Sequence, residues 1–141
     1  MKHISITLLV YFFVLSCNKA PHESKENHQS SNIAIQLNNG QKWSVNDEMK
    51  PNIESGRAFL IDYEQSKSIS FQDLAVQLSE ANNALISSCT MSGESHDELH
   101  KWLHPHLELT AKLKVAQSEE EAEILIEKLL QSYEKYSEYF E

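Results

Sequence analysis

Four successive stretches of the chain carry apolar side chains at helical spacing, and this pattern constrains the fold more than any other feature. Apolar residues recur three or four positions apart with polar residues between them, which predicts four helices that each bury one face. The four stripes are Met49, Ile53, Gly56, Leu60, Tyr63; Leu74, Leu78, Asn82, Leu85, Cys89; Leu99, Leu103, His106, Thr110, Leu113; and Ala122, Leu125, Ile126, Leu129, Tyr133, Tyr136, Phe140. The predicted fold is mainly all-α, a small antiparallel four-helix bundle.

Polar residues mark the expected start of each helix. Asn46 is expected to open the first helix, and Ser70, Ser95 and Ser118 are expected to cap the other three, because each serine is followed by a carboxylate within three positions. Pro105 lies inside the third stripe and lacks a backbone N–H, so a kink or break is predicted there.

A short β-hairpin is expected before the first helix. Ile33, Ile35 and Leu37 alternate with small or polar residues, and Trp43 and Val45 alternate again after the turn sequence at 38–40. A two-residue turn would place the two apolar sets on opposite faces, whereas a three-residue loop would unite them. The three-residue loop is therefore predicted, with the apolar face of the hairpin packed on the helices.

Length and charge exclude several classes of protein. A chain of 141 residues suits one ordinary domain, and 12 Lys+Arg against 21 Asp+Glu give a formal net charge of −9. That charge argues against binding nucleic acid through a basic face. The chain has only 3 Gly and no glycine-rich phosphate loop, which argues against a nucleotide-binding enzyme.

The first residues have the pattern of a processed signal. Lys2 precedes an apolar run at 4–16, whose thirteen residues are too few to span a bilayer as a helix. The run ends in Val14-Leu15-Ser16-Cys17, which resembles the lipobox of bacterial lipoproteins. The resemblance implies a signal peptide at 1–16, a lipidated Cys17 that attaches the protein to a membrane, and a location in the cell envelope facing the periplasm or exterior. A plain secretory signal followed by an incidental cysteine is the alternative.

Residues 17–32 contain no large aliphatic or aromatic side chain after Cys17 and are interpreted as a flexible tether. The folded domain is then expected at 33–141.

The unusual chemistry of the chain lies at 89–106. This stretch holds four of the seven histidines together with a cysteine and a methionine. His96 and His100 are four positions apart and therefore share a helix face, and Cys89 and Met91 lie just before that helix. Thiolate, thioether and imidazole together suit copper(I), with zinc next. The sequence therefore predicts a metal site formed by Cys89, Met91, His96 and His100, with Glu94, Asp97 and Glu98 available to orient the imidazoles.

A purely structural interpretation of the same residues stays open. Cys89 lies in an apolar stripe, where a free thiol is usually buried, and Met91 could cover the end of the bundle. His96 could face solvent, His104 projects away from the apolar stripe, and His106 points into the core.

Enzymatic activity is not expected. A cysteine nucleophile would need an exposed, activated thiol. The segment His96-Asp97-Glu98-Leu99-His100 has its glutamate one position late for the H-E-x-x-H motif of zinc hydrolases. C-x-x-C-H is missing, which excludes covalent haem, while non-covalent haem with Met49 or Met91 as a ligand is the weaker remaining possibility.

The run from Cys89 to Pro105 reads C-x-M-x-G-x-x-H-D-x-L-H-x-W-L-x-P. Together with the turn sequence before Trp43 and the Tyr/Phe-rich last helix, it resembles a group of small bacterial lipoproteins and periplasmic proteins. That resemblance implies an extracytoplasmic helical domain at 33–141 and brings no activity with it. In architecture alone the chain is similar to periplasmic helical-hairpin metal sensors, which bind metal through His, Glu and Met.

Two functions follow from these patterns. The first is a membrane-anchored extracytoplasmic lipoprotein that binds or senses a transition metal, with copper favoured. The second is a cofactor-free structural lipoprotein whose acidic helical faces contact another protein of the envelope.

Overall fold

The computed structural model describes residues 34–141, which form four helices. They are α1 (Lys50–Ser66), α2 (Phe71–Ser88), α3 (Glu94–Val115) and α4 (Glu119–Tyr139). Each helix packs on the next one in the chain, and α1 also contacts α4. The connections at 67–70, 89–93 and 116–118 are too short to run back along a helix, so consecutive helices are antiparallel. The predicted all-α fold of four packed helices is confirmed. The predicted signal peptide, the predicted lipidation site Cys17 and the predicted tether lie outside the described residues.

Two of the predicted helix starts are confirmed by their capping bonds. The Ser70 hydroxyl accepts a hydrogen bond from the Asp73 N–H at 3.1 Å, and the Ser118 hydroxyl accepts one from the Glu121 N–H at 3.2 Å. These bonds satisfy N–H groups that have no partner inside the helix.

The other two predicted starts are wrong. Helix α1 begins at Lys50 instead of Asn46, because the Asn46 side chain bonds the end of α2: its amide donates to the Ser88 carbonyl and its oxygen accepts from the Thr90 N–H. Helix α3 begins at Glu94, one residue before the expected serine cap, and its N-cap is Gly93 with φ of +69°. Glycine adopts that backbone angle at little cost, and no side chain caps the start of α3.

Helix α3 runs without a break through Pro105. Trp102, Leu103 and His106 are buried on both sides of the proline, and this packing holds the helix together across the missing hydrogen bond. Of the predicted kink or break at Pro105, the break is therefore wrong.

The predicted β-hairpin is also wrong, since the described residues contain an isolated turn and no strand. Asn38 and Gln41 exchange two backbone hydrogen bonds of 2.9 Å, and Asn39 and Gly40 between them have φ of +52° and +85°. This is a two-residue turn of the mirror-image type, in place of the three-residue loop that was predicted.

Past this turn no backbone ladder joins the two arms, although the Trp43 indole N–H donates to the Gln36 carbonyl at 2.6 Å. The backbone of the second arm pairs with the end of α4. The Trp43 N–H donates to the Tyr139 carbonyl at 2.8 Å, and the Glu141 N–H donates to the Trp43 carbonyl at 2.9 Å. Because the arms are not held in one ladder, Ile35, Trp43 and Val45 can all be buried against the helices despite the short turn.

Between α3 and α4 the core is aromatic. The Trp102 ring lies 4.9 Å from the Tyr136 ring and 6.1 Å from the Tyr133 ring, and Tyr136 stacks on Phe140. The Trp102 indole N–H donates to the Ser132 carbonyl at 2.8 Å. This cluster sets which side of α3 faces inward. None of the helices within residues 34–141 is both long enough and apolar enough to cross a membrane.

Candidate metal-binding site

Three histidines on α3 form one continuous row, which we call the imidazole row: His96, His100 and His104. The Nε2 atoms of His96 and His100 are 3.0 Å apart, and Nδ1 of His100 lies 2.9 Å from Nε2 of His104. Adjacent rings meet edge to face, with centroids 4.4 and 4.8 Å apart. The row follows the four-residue spacing of one helix face and is reachable from solvent, because His96 and His100 are half-buried and His104 is exposed.

The surroundings of His100 favour its neutral form. Partial burial is the largest cause that lowers its pKa, the nearby His96 and His104 lower it further, and Asp97 opposes them. A neutral imidazole is the form that binds a metal ion. The middle histidine of the row is thus suited to ligation over a wider pH range than an isolated one.

The predicted sulfur ligands do not join this row. Cys89 ends α2, Met91 lies in the connection to α3, and both are half-buried against the core. Within residues 34–141 no three His, Cys, Asp or Glu side chains gather in a group that could hold a metal. The structure therefore joins His96 to His100, two of the four predicted ligands, and leaves the Cys89 thiol apart from them.

The register of α2 against α3 nevertheless places Cys89 near the height of the row. The Asn82 side-chain amide donates to the Thr110 hydroxyl at 3.1 Å, which pairs these two positions across the antiparallel helices. In antiparallel helices, equal steps in opposite directions from a paired position reach the same height. Seven steps from this pair lead to Cys89 after Asn82 and to Leu103 before Thr110, and Leu103 lies between His100 and His104.

The connection that carries the sulfur atoms is itself held in place. The two hydrogen bonds of Asn46, to Ser88 and Thr90, lie on either side of Cys89, and the Asn52 amide adds a bond of 3.2 Å to the Ser88 hydroxyl. The start of the connection is thus fixed from the side of α1.

Glu98 does not orient the imidazoles, contrary to expectation. Its side chain is buried, at 6% exposure, and one oxygen accepts a hydrogen bond from the Gln36 N–H at 2.8 Å. The other oxygen pairs with Lys101 Nζ at 2.5 Å. The carboxylate therefore holds the segment before α1 against α3. Of the predicted acidic neighbours, Asp97 acts electrostatically on His100, and Glu94 is exposed in the first turn of α3.

His106 is a core residue, as its place in the apolar stripe indicated. It is completely buried, stacks on Trp102 with ring centroids 5.0 Å apart, and places Nδ1 3.0 Å from the Ser132 hydroxyl. Among the described residues its Nε2 has no hydrogen-bond partner. Burial lowers its pKa from 6.5 to about 4, so it is neutral at physiological pH and lies too deep to contact a metal with the imidazole row.

His104 was not among the predicted ligands, because it projects away from the apolar stripe of α3. The signal that would have found it is the repeat of histidine at positions 96, 100 and 104, which continues the four-residue spacing by one more turn.

Comparisons of this chain with family models, with curated proteins and with solved structures found no match.

Proposed function

We propose that this chain is a lipid-anchored protein of the bacterial envelope that binds or senses a transition metal, with copper favoured and zinc next. His96 and His100 supply the nitrogen ligands, and Cys89 and Met91 supply the sulfur ligands. The observation that carries the proposal is the 3.0 Å separation of the two Nε2 atoms on the accessible side of α3.

This separation matches two nitrogen ligands of one metal ion. Metal to nitrogen bonds of about 2.0–2.1 Å hold their nitrogens about 2.9 Å apart at a right angle and about 3.4 Å apart at the tetrahedral angle. The observed 3.0 Å is close to the right-angle value, which is typical of square-planar copper(II). A small rotation of either ring reaches the tetrahedral value that zinc prefers.

The sulfur atoms support copper(I) in particular. Thiolate and thioether are soft ligands, and the register of α2 against α3 brings Cys89 to the height of His100 and His104. The proposal requires the Cys89 and Met91 side chains to turn out of their half-buried positions when the ion binds. Both residues lie at the end of α2 or beyond it, where a side chain can turn without breaking a helix.

The membrane anchor rests on the sequence. The apolar run at 4–16 followed by Cys17 is the pattern of a lipoprotein signal, and a lipidated cysteine attaches a protein to a membrane without a spanning helix. An extracytoplasmic location would expose the imidazole row to metal ions of the envelope.

Isothermal titration of the mature chain, with Cys17→Ser to keep it free of lipid, tests the proposal. We expect one ion of copper(I), copper(II) or zinc per chain and a higher melting temperature with the ion in excess. His96→Gln and His100→Gln should each weaken binding at least 10-fold, while His28→Gln, a matched change in the tether, should have no effect. Cys89→Ser and Met91→Leu should weaken copper(I) more than copper(II).

If copper(I), copper(II) and zinc neither bind nor change thermal unfolding, the metal function is wrong, and a cofactor-free lipoprotein that contacts an envelope protein becomes the better hypothesis.

A further inference from the structure

We infer that His104 is a positioning residue for the metal: it accepts the Nδ1–H of His100 and thereby leaves Nε2 of His100 free to bind. The inference rests on the proposed function and adds a residue to it. It follows from the place of His100 in the middle of the imidazole row, with one ring nitrogen against each neighbour.

A neutral imidazole carries a single N–H, so His100 cannot donate to both neighbours. In one arrangement Nε2 of His100 carries the proton and donates to His96, and no lone pair on that atom is left for a metal. In the other arrangement Nδ1 carries the proton and donates to Nε2 of His104, 2.9 Å away. Only the second arrangement provides His100 with a metal-binding Nε2 beside that of His96.

The same geometry argues that His104 does not itself bind this ion. The two ring nitrogens of His100 point away from each other, and His104 meets the nitrogen on the side opposite His96. An ion held between the Nε2 atoms of His96 and His100 therefore lies on the far side of the His100 ring from His104. Metal-binding histidines commonly donate their second N–H to a fixed acceptor, which sets the tautomer and the ring orientation.

The test compares two variants of His104 with a neighbour on α3. His104→Ala should weaken zinc binding about 10–100-fold, the usual effect of losing such an acceptor. His104→Gln keeps an oxygen that can accept the same hydrogen bond, and it should restore binding to within a few-fold of the original. Glu108→Ala, an exposed change one turn further along α3, should leave the affinity unchanged.

A second readout needs no metal. Nitrogen-15 chemical shifts of the His100 ring distinguish a protonated Nδ1 from a protonated Nε2. We expect protonated Nδ1 in the original chain and in His104→Gln, and a shift toward protonated Nε2 in His104→Ala. A residue that only covers the helix surface would not change this tautomer.

The outcomes separate the two proposals. If the original chain binds no zinc or copper, the proposed function fails. If it binds but His104→Ala binds equally well with an unchanged His100 tautomer, the positioning role fails while the metal function stands. If His104→Gln keeps a protonated Nδ1 on His100 and still binds as weakly as His104→Ala, the His104 ring is needed as a ligand and the inference is overturned.

Discussion

Acidification should destabilise this bundle through His106, the histidine buried between α3 and α4. The aromatic rings of Trp102 and Tyr133 and the Ser132 hydroxyl surround its imidazole, and none of them carries a charge that would stabilise a proton there. Burial alone lowers its pKa from 6.5 to about 4. The folded protein therefore resists taking up a proton that the unfolded chain accepts readily.

The size of the effect follows from these two pKa values. Their difference of about 2.5 corresponds to about 3 kcal/mol of unfolding free energy, since one pKa unit is about 1.4 kcal/mol. Because the folded pKa is the lower one, the unfolded state binds more protons between the two values. The stability is present in full above pH 6.5, falls by about 1.4 kcal/mol per pH unit below it, and is lost by about pH 4.

Urea denaturation at a series of pH values from 7 to 4 measures this slope. The variant His106→Gln removes the titrating ring, so its unfolding free energy should fall less steeply in this range than that of the original protein. Ser132→Ala is the matched control, because it removes the hydrogen bond to Nδ1 and leaves the buried ring to titrate. Equal slopes for the original protein and His106→Gln would refute the argument from burial.

Three further predictions concern packing and the anchor. A Cβ added at Gly56 would lie 2.0 Å from the Tyr133 hydroxyl oxygen and 3.1 Å from Cζ of the same ring, so Gly56→Ala should cost about 1–3 kcal/mol. Part of that cost should vanish in a Tyr133→Phe background, which removes the oxygen and keeps Cζ; equal costs in the two backgrounds, measured by urea denaturation, would contradict the clash. Leu129→Ala removes a fully buried side chain and should cost about 2–5 kcal/mol, whereas the exposed Ile124→Ala should cost much less; similar losses in thermal unfolding would argue against this core. Cys17→Ser should release the protein from the membrane fraction or leave it unprocessed, and lipid-labelled, membrane-bound protein from that variant would disprove the lipobox.

Features that depend on nearby residues were predictable from the sequence. The caps at Ser70 and Ser118 each bond an N–H three positions later, and the pairing of His96 with His100 needs only four-residue spacing on one helix. The four apolar stripes indicated four helices in the same way, because each stripe is a property of its own segment.

Features that depend on distant partners were not predictable. Asn46 would have been a good helix cap, but its side chain bonds Thr90, which is 44 positions away. Glu98 lies midway between His96 and His100 in the sequence, yet its side chain bonds Gln36, 62 positions earlier. A pattern read along one segment contains no information about which remote group competes for the same side chain.

The predicted hairpin is the clearest example of a feature that distant partners changed. Its turn at Asn39 and Gly40 is local and forms, whereas no backbone ladder joins the two arms, because the Trp43 backbone bonds Tyr139 and Glu141 instead. The turn residues alone specify where the chain reverses. The partner of the second arm depends instead on the folded bundle, since the end of α4 offers backbone groups and an apolar surface that the first arm alone does not.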